Sequence, residues 1–178
     1  MLLETIHGPV TLRPTRAGDA AALRDLRLDA LRTNPEAYGQ TYEVAAARPA
    51  ESWEDWARRG AGGPTGVTYV ADAGGQLVAM ASLVRPEAQK FRHAASIQAV
   101  YVRPAWRGAG LAGQLIEACA EWARAEGLRV LRLTVVTTNT AAIRCYARHG
   151  FAVYGLEREA LFHEGVFYDE LLMARWLV

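Results

Sequence analysis

Three glycines within six residues mark the point where a strand pattern changes into a helix pattern. They are Gly108, Gly110 and Gly113. The segment before them, Ala94–Val102, has the composition of a strand, and residues 110–125 repeat apolar side chains at helical spacing. The first N–H groups of a helix have no partner within it and carry the positive end of its dipole, and glycine lets an anion approach them closely. The segment therefore predicts a strand–turn–helix unit that can hold a phosphate or pyrophosphate.

The same glycines also match the spacing Gly-x-Gly-x-x-Gly of dinucleotide-binding folds. In those folds the strand runs almost directly into the first glycine, and an acidic residue after the next strand holds the ribose. Here five residues separate Val102 from Gly108, and the next predicted strand is followed by Thr-Thr-Asn139 without a carboxylate. These two features weigh against a dinucleotide site. A purely structural turn is the other alternative.

The remaining patterns predict an α/β fold in which a mixed, mostly antiparallel sheet is flanked by helices. β-branched or alternating runs predict strands at 10–13, 68–71, 76–85, 94–102, 130–136, 151–157 and 167–173. A helix capped by Asp19 is expected before Asn34, and further helices are expected at 51–59, 110–125 and 140–149. No repeat or long linker divides the chain, so residues 1–178 are expected to form one domain.

Composition excludes several classes of protein. The chain has 20 basic and 19 acidic side chains, a balance that argues against nucleic acid as a partner. Among the basic residues only Lys90 is a lysine, and because no glycine precedes it the chain has no P-loop. The longest uncharged runs, 60–71 and 73–84, have 12 residues each. A spanning helix needs roughly 18, so no membrane partner is expected.

The chain is expected to be cytoplasmic, because its N-terminal residues show no apolar leader-like segment. Cys119 and Cys145 fall within predicted helices, and their spacing indicates neither a disulfide nor a metal site. Cys145 and His149 are one helical turn apart, as a nucleophile and its base would be. The preferred interpretation places Cys145 in the core and His149 at the C-terminal end of its helix, where the helix dipole favours positive charge.

Residues 107–112, which read Arg-x-x-Gly-x-Ala, resemble the acyl-CoA pyrophosphate loop of the GCN5-related N-acetyltransferase (GNAT) superfamily. Asn139 after the next strand, and Tyr146 in a helix that stops at Gly-Phe, are similar to the same superfamily. Residues 31–39 are similar to the substrate-side helix ending of many bacterial members. Since these features occur in the right order along the chain, the resemblance implies a GNAT-like acyl-CoA N-acyltransferase fold.

The resemblance also implies a reaction: transfer of the acetyl group of the co-substrate acetyl-CoA directly to a primary amine of a small molecule, peptide or protein N-terminus. Tyr146 is implied as the acid that protonates the leaving thiolate. The residues implied to bind acetyl-CoA are those of the strand end and the loop, together with an asparagine: Val100, Tyr101, Val102, Arg107, Gly108, Ala109, Gly110, Leu111, Ala112 and Asn139. Asn139 can also cap the helix that begins at Thr140.

The base and the acceptor pocket are less well defined by the sequence. Several members of the superfamily carry a glutamate on the strand before the loop, where this chain has Gln98. The base is then a bound water or a carboxylate elsewhere, such as Glu43 or Glu170. Tyr42 and Glu43, and with them His163, are candidates for the acceptor pocket. The missing glutamate keeps a non-catalytic acyl-CoA sensor open as an alternative, and a homodimer is implied by the superfamily.

Overall fold

The fold is built on one eight-stranded sheet, seen in a computed structural model that describes residues 1–177. The strands are β1 (Leu2–Thr5), β2 (Gly8–Pro14), β3 (Gly66–Ala73), β4 (Gln76–Val84), β5 (Ala94–Val102), β6 (Val130–Val136), β7 (Ala152–His163) and β8 (Val166–Trp176). The helices are α1 (Ala20–Thr33), α2 (Tyr42–Ala46), α3 (Ala50–Arg59), α4 (Leu111–Ala125) and α5 (Thr140–Arg148).

The strands lie in the order β1-β2-β3-β4-β5-β6-β8-β7, and every neighbouring pair is antiparallel except β5 and β6. That pair is parallel because α4 carries the chain back across the sheet between them. The prediction of a mixed, mostly antiparallel α/β fold is confirmed. Helix α4 packs on one face of the sheet, whereas α1 and α3 pack on the other. Strand β4 is consequently buried on both faces, which explains its almost uninterrupted apolar sequence.

Strands β5 and β6 pair over only three residues each and then separate. Ala94–Ser96 lie opposite Val130–Arg132, and no pairing between the two strands follows within residues 1–177. A bulge shifts the pairing of β5 with β4 between Met80 and Ser82, and Ala99 there adopts a φ of 52°. The bulge turns the second half of β5 away from β6. A wedge-shaped gap therefore opens in the middle of the sheet.

The local patterns located most elements well. β5 and β6 have the predicted bounds, and α4 differs from its prediction by a single residue. The short elements β1 and α2 were not predicted, and the final hairpin is longer than expected, turning at Glu164 and Gly165. Asp19 does precede α1, but its side chain does not cap that helix; the carboxylate instead binds the guanidinium of Arg13 and the N–H of Arg16. No helix in residues 1–177 is both long and apolar enough to cross a membrane.

Candidate active site

A cavity of about 1030 Å³ fills the gap between β5 and β6. Its walls are the second half of β5, the glycine loop with the start of α4, the end of β6, and one side of α5. The loop that follows α1 closes the remaining side, and Glu170 reaches the cavity from β8. The volume is at the upper end of what a ligand pocket normally offers. The cavity is therefore created by the separation of β5 and β6, two strands that are neighbours in the sheet.

At two of the three glycine positions the backbone conformation requires glycine. Gly108 and Gly110 have φ values of 83° and 76°, and a Cβ on either would meet no atom within 4 Å. The loop face is therefore open to a ligand. Gly110 is the residue before α4, and the helix ladder starts with the bond from the Gln114 N–H to the Gly110 carbonyl. Within residues 1–177 the N–H groups of 108–113 donate to no backbone acceptor, so they form an anion-binding cradle.

The third glycine, Gly113, serves packing. A Cβ at this position would overlap the Nε2 atom of His149 and lie 2.8 Å from its Cε1 atom. The ring cannot easily withdraw, because its Nδ1 atom is 2.8 Å from Glu117 Oε1 and Arg175 holds the same carboxylate. The glycine pattern thus combines two functions: an open loop and the close approach of α4 to α5.

The unpaired edge of β5 presents backbone amides to the cavity. The N–H of Arg103 donates to the Val78 carbonyl on β4, whereas the Val100 and Val102 carbonyls accept from the Tyr38 hydroxyl (2.9 Å) and Arg107 Nε (3.1 Å). Because backbone groups of alternate residues point to the same side of a strand, the amides of Val100 and Val102 face the gap. In the place that β6 would otherwise occupy, these amides can bind a ligand that carries amide groups of its own.

Other residues expected to bind the co-substrate have definite structural contacts. The Tyr101 side chain is buried against α1, where its hydroxyl donates to Asp29, and its backbone pairs with Met80 on β4. Arg107 donates to the Asn34 side chain at 2.8 Å and ties the glycine loop to the end of α1. The Asn139 side chain accepts from the Ala142 N–H at 3.1 Å, so it caps α5 while lining the cavity.

Tyr146 lines the cavity from α5. Its side chain is 7% exposed and packs edge-on against the Phe151 ring. Burial raises the pKa of Tyr146, and the nearby Tyr38 and Cys145 act in the same direction. Its hydroxyl forms no hydrogen bond with any other residue in the described chain, residues 1–177. It is therefore a protonated donor without a partner inside the protein.

Of the two carboxylates considered as the base, only Glu170 lines the cavity. Burial raises the pKa of Glu170, as does the nearby Glu157, while a hydrogen bond with Thr134 lowers it. Glu43 and Tyr42 lie on α2 and are not among the cavity walls; the Tyr42 hydroxyl accepts from Arg32 instead. His163, at the end of β7, is likewise outside the walls.

The paired Cys145 and His149 also line the cavity, without the arrangement of a nucleophile and its base. Both ring nitrogens of His149 are directed toward α4, one at Glu117 and the other at Gly113. Burial raises the pKa of Cys145, which disfavours the reactive thiolate.

Two cavity residues, Arg27 and Tyr38, had no predicted function. Arg27 on α1 is only 9% exposed, and its guanidinium lies 4.5 Å from the centre of the Tyr38 ring. The sequence carries a signal for it: Arg27 is four residues from both Leu23 and Leu31, on the apolar stripe of its helix. A charged residue in the middle of such a stripe is buried, and it needs a reason to be there.

Comparison with known proteins agrees with this architecture. The sequence matches the acetyltransferase (GNAT) family over residues 23–151. The chain belongs to the GNAT family. An L-amino acid N-acetyltransferase of Escherichia coli is 26% identical over 93% of this chain and 97% of its own length. An L-methionine sulfoximine/L-methionine sulfone acetyltransferase of Pseudomonas paraeruginosa is 33% identical over 82% of this chain and 81% of its own. A GNAT acetyltransferase structure from Streptococcus pneumoniae superposes with a TM-score of 0.84 at 27% identity, covering 94% of this chain and 98% of that one.

Membership in the GNAT family defines the general reaction. The protein is an N-acetyltransferase, its co-substrate is acetyl-CoA, and its acceptor is an amine. The observed cavity fits acetyl-CoA on three features: the cradle of free N–H groups at 108–113, the open faces of Gly108 and Gly110, and the unpaired amides of β5. The family and its named relatives support the enzyme over the alternative of a non-catalytic sensor.

Proposed function

We propose that this GNAT enzyme acetylates the α-amine of a free amino acid, with Tyr146 as the acid and Glu170 as the base. The observation that carries the assignment of roles is that both side chains line one cavity together with the glycine loop and the open edge of β5. The acceptor class is supported by the two relatives named for acetylation of L-amino acids and L-methionine derivatives.

Acetyl-CoA is held mainly by backbone groups in this proposal. The N–H groups of Gly108, Ala109, Gly110, Leu111 and Ala112 bind the pyrophosphate, helped by the positive end of the α4 dipole. The Val102 N–H and the Val100 carbonyl bind the pantetheine chain. When bound, acetyl-CoA supplies a thioester carbonyl that an amine can attack.

The Val100 N–H is the group best placed to stabilise negative charge on that carbonyl oxygen. Tyr38 holds the carbonyl of the same residue at 2.9 Å and thereby fixes the orientation of this segment next to the bulge at Ala99. Burial raises the pKa of Tyr38 to about 12, so its hydroxyl remains a donor to Val100 at any physiological pH. Tyr38 acts as a positioning residue.

Glu170 removes the proton that the acceptor ammonium must lose before attack. A carboxylate whose pKa is raised by burial is a stronger base than one in water. As the new N–C bond forms and the C–S bond breaks, Tyr146 donates its hydroxyl proton to the departing sulfur, and the second proton lost by the attacking nitrogen restores the Tyr146 hydroxyl. The raised pKa of Tyr146 keeps that proton in place until it is needed.

The roles are tested by acetyl-CoA turnover over a panel of L-amino acids. Tyr146→Phe and Glu170→Gln should each lower kcat by roughly 10²- to 10⁴-fold, the usual contribution of a positioned acid or base. The affinity for acetyl-CoA, measured by isothermal titration, should be unchanged in both. Glu43→Gln is the matched control, because Glu43 lies outside the cavity. Wild-type rates in Tyr146→Phe or Glu170→Gln would refute the corresponding role.

We also propose that the single domain acts as a cytoplasmic homodimer without a nucleic-acid partner. The sheet ends in β7, whose outer edge is unpaired within residues 1–177. Apolar side chains are exposed on β7 and β8, among them Tyr154, Phe162, Phe167 and Trp176, each more than half exposed. Such a surface supports an association between copies. Light scattering after size exclusion should give twice the chain mass of 19.5 kDa; a mass of one chain at micromolar concentration would contradict the dimer.

A further inference from the structure

Arg27 is a buried cation without a protein partner. Its residue is 9% exposed, and Nη1 is fully buried and makes no hydrogen bond within residues 1–177. None of the guanidinium nitrogens is in an ion pair in this part of the chain. Both acidic residues close to it in sequence leave it unpaired, since Asp25 lies beside Arg24 and Asp29 binds Arg103.

The surroundings of Arg27 increase its need for an anion. One side of the guanidinium rests on the Tyr38 ring, which is a weak partner compared with a carboxylate. The other charged group near it is a second cation, Arg48, whose own guanidinium lies over Trp53. A buried charge that lacks a counter-ion is strongly unfavourable. Keeping Arg27 at this position therefore costs stability in the free enzyme.

The position of Arg27 connects it to the reaction centre. Arg27 lines the active-site cavity. Its guanidinium lies over the ring of Tyr38, and the Tyr38 hydroxyl holds the Val100 carbonyl. The glycine loop, which binds the pyrophosphate in the proposed function, lies along another wall. A negative group beside Arg27 is thus part of the acceptor and not of acetyl-CoA.

We propose that Arg27 binds the carboxylate of the acceptor and thereby selects amines that carry one. This inference rests on the proposed function and names the residue that recognises its substrate class. A guanidinium offers parallel N–H donors that match the two oxygens of a carboxylate. The ligand carboxylate supplies the counter-ion that Arg27 lacks within the protein. Binding is favoured because the Arg27 guanidinium is already desolvated and held in place.

The kinetic test compares each L-amino acid with its carboxamide, which keeps the amine and loses the charge. Wild-type enzyme should prefer the acid by roughly 10- to 100-fold in kcat/KM, as expected for a hydrogen-bonded charge pair. Arg27→Met should abolish that preference through the KM of the acid, with little change for the amide. Arg27→Lys should restore part of it, because the charge is kept and the two-pronged geometry is lost.

Arg32→Met is the matched control. Arg32 lies on the same helix, also with its guanidinium over a tyrosine ring, 4.9 Å from the centre of Tyr42, but it is exposed and outside the cavity. It should leave the preference for the acid unchanged. If Arg27→Met lowers kcat/KM equally for acid and amide, Arg27 only supports the fold and the inference is wrong.

A binding measurement separates this inference from the proposed function. N-acetyl-L-methionine and N-acetyl-L-methioninamide are titrated into the free enzyme by calorimetry, with no turnover required. The acid should bind wild type roughly 10-fold or more tightly than the amide, and Arg27→Met should bind both alike. Equal binding to wild type, or binding of neither compound, overturns the role of Arg27. Absence of turnover on every amino acid, with the binding preference intact, overturns the proposed function instead.

Discussion

Replacing Gly113 by alanine should destabilise the protein for a reason that a second substitution can remove. A Cβ at Gly113 overlaps Nε2 of His149, and that ring is anchored by Glu117, which Arg175 holds in turn. The ring must either move and break its hydrogen bond, or push α5 away from α4. Overpacking of this kind costs about 1–3 kcal/mol. Alanine is a better helix former than glycine by about 0.5–1 kcal/mol, so the net loss should be up to about 2.5 kcal/mol.

In a His149→Ala background the obstacle is gone and only the helix preference remains. Gly113→Ala should then stabilise the protein by about 0.5–1 kcal/mol, so the effect changes sign between the two backgrounds. The measurement is equilibrium unfolding of all four proteins in urea, followed by circular dichroism. For a chain of this length, thermal midpoints should move by about 2–4 °C for each kcal/mol.

A change of sign is a strict requirement. If Gly113→Ala costs the same with and without the His149 ring, the glycine is needed for something other than the approach of α4 to α5. The same result would revise the division of the glycine motif into an open loop and a packing position.

Three further predictions concern single positions. Gly110→Ala should destabilise the protein by about 1–2 kcal/mol, because φ is 76° there and alanine is strained in that region, and it should weaken acetyl-CoA binding by calorimetry; unchanged binding would contradict the cradle. Glu117→Gln should lower stability most above pH 4.5, because hydrogen bonding to Arg175 depresses the folded-state pKa of Glu117. The stability that Glu117 contributes is lost as the pH falls through that lowered pKa. The unfolding curves of wild type and Glu117→Gln should therefore converge in acid. For wild type, kcat/KM should fall with decreasing pH at a pKa above 4.5, since burial raises the pKa of Glu170; Glu170→Gln should lack this limb.

The strand–loop–helix part of the fold could be predicted because its signals are local. β6 is β-branched or aliphatic at every position except Arg132, and α4 has a clear apolar stripe, so each pattern specifies its element without reference to the rest of the chain. β1 and α2 have four and five residues, too few for a period to be recognised. Their structure depends on neighbours, since β1 exists only as the partner of β2.

The same distinction separates the site residues. The glycine loop, Asn139 and Tyr146 lie within one continuous segment of chain, and the structure gathers them around one cavity. Glu43 and Glu170 could not be distinguished in the sequence, because their positions depend on long-range pairing. The antiparallel register of β6 and β8 sets Glu170 opposite Val136 and so brings it to the cavity, whereas Glu43 is carried away on α2.

Arg27 illustrates how a functional residue can be recognised by the rule that it breaks. The helical period places Arg27 on the apolar stripe of α1, where a charged residue is not expected, and α1 does bury it. An evolved core avoids an unpaired cation unless a ligand completes it. The unpaired Arg27 and the unpaired β5 edge therefore have the same explanation. Each leaves polar groups of the protein without partners so that a substrate can supply them. Acetyl-CoA supplies its amide groups to the β5 edge, and the acceptor supplies its carboxylate to Arg27.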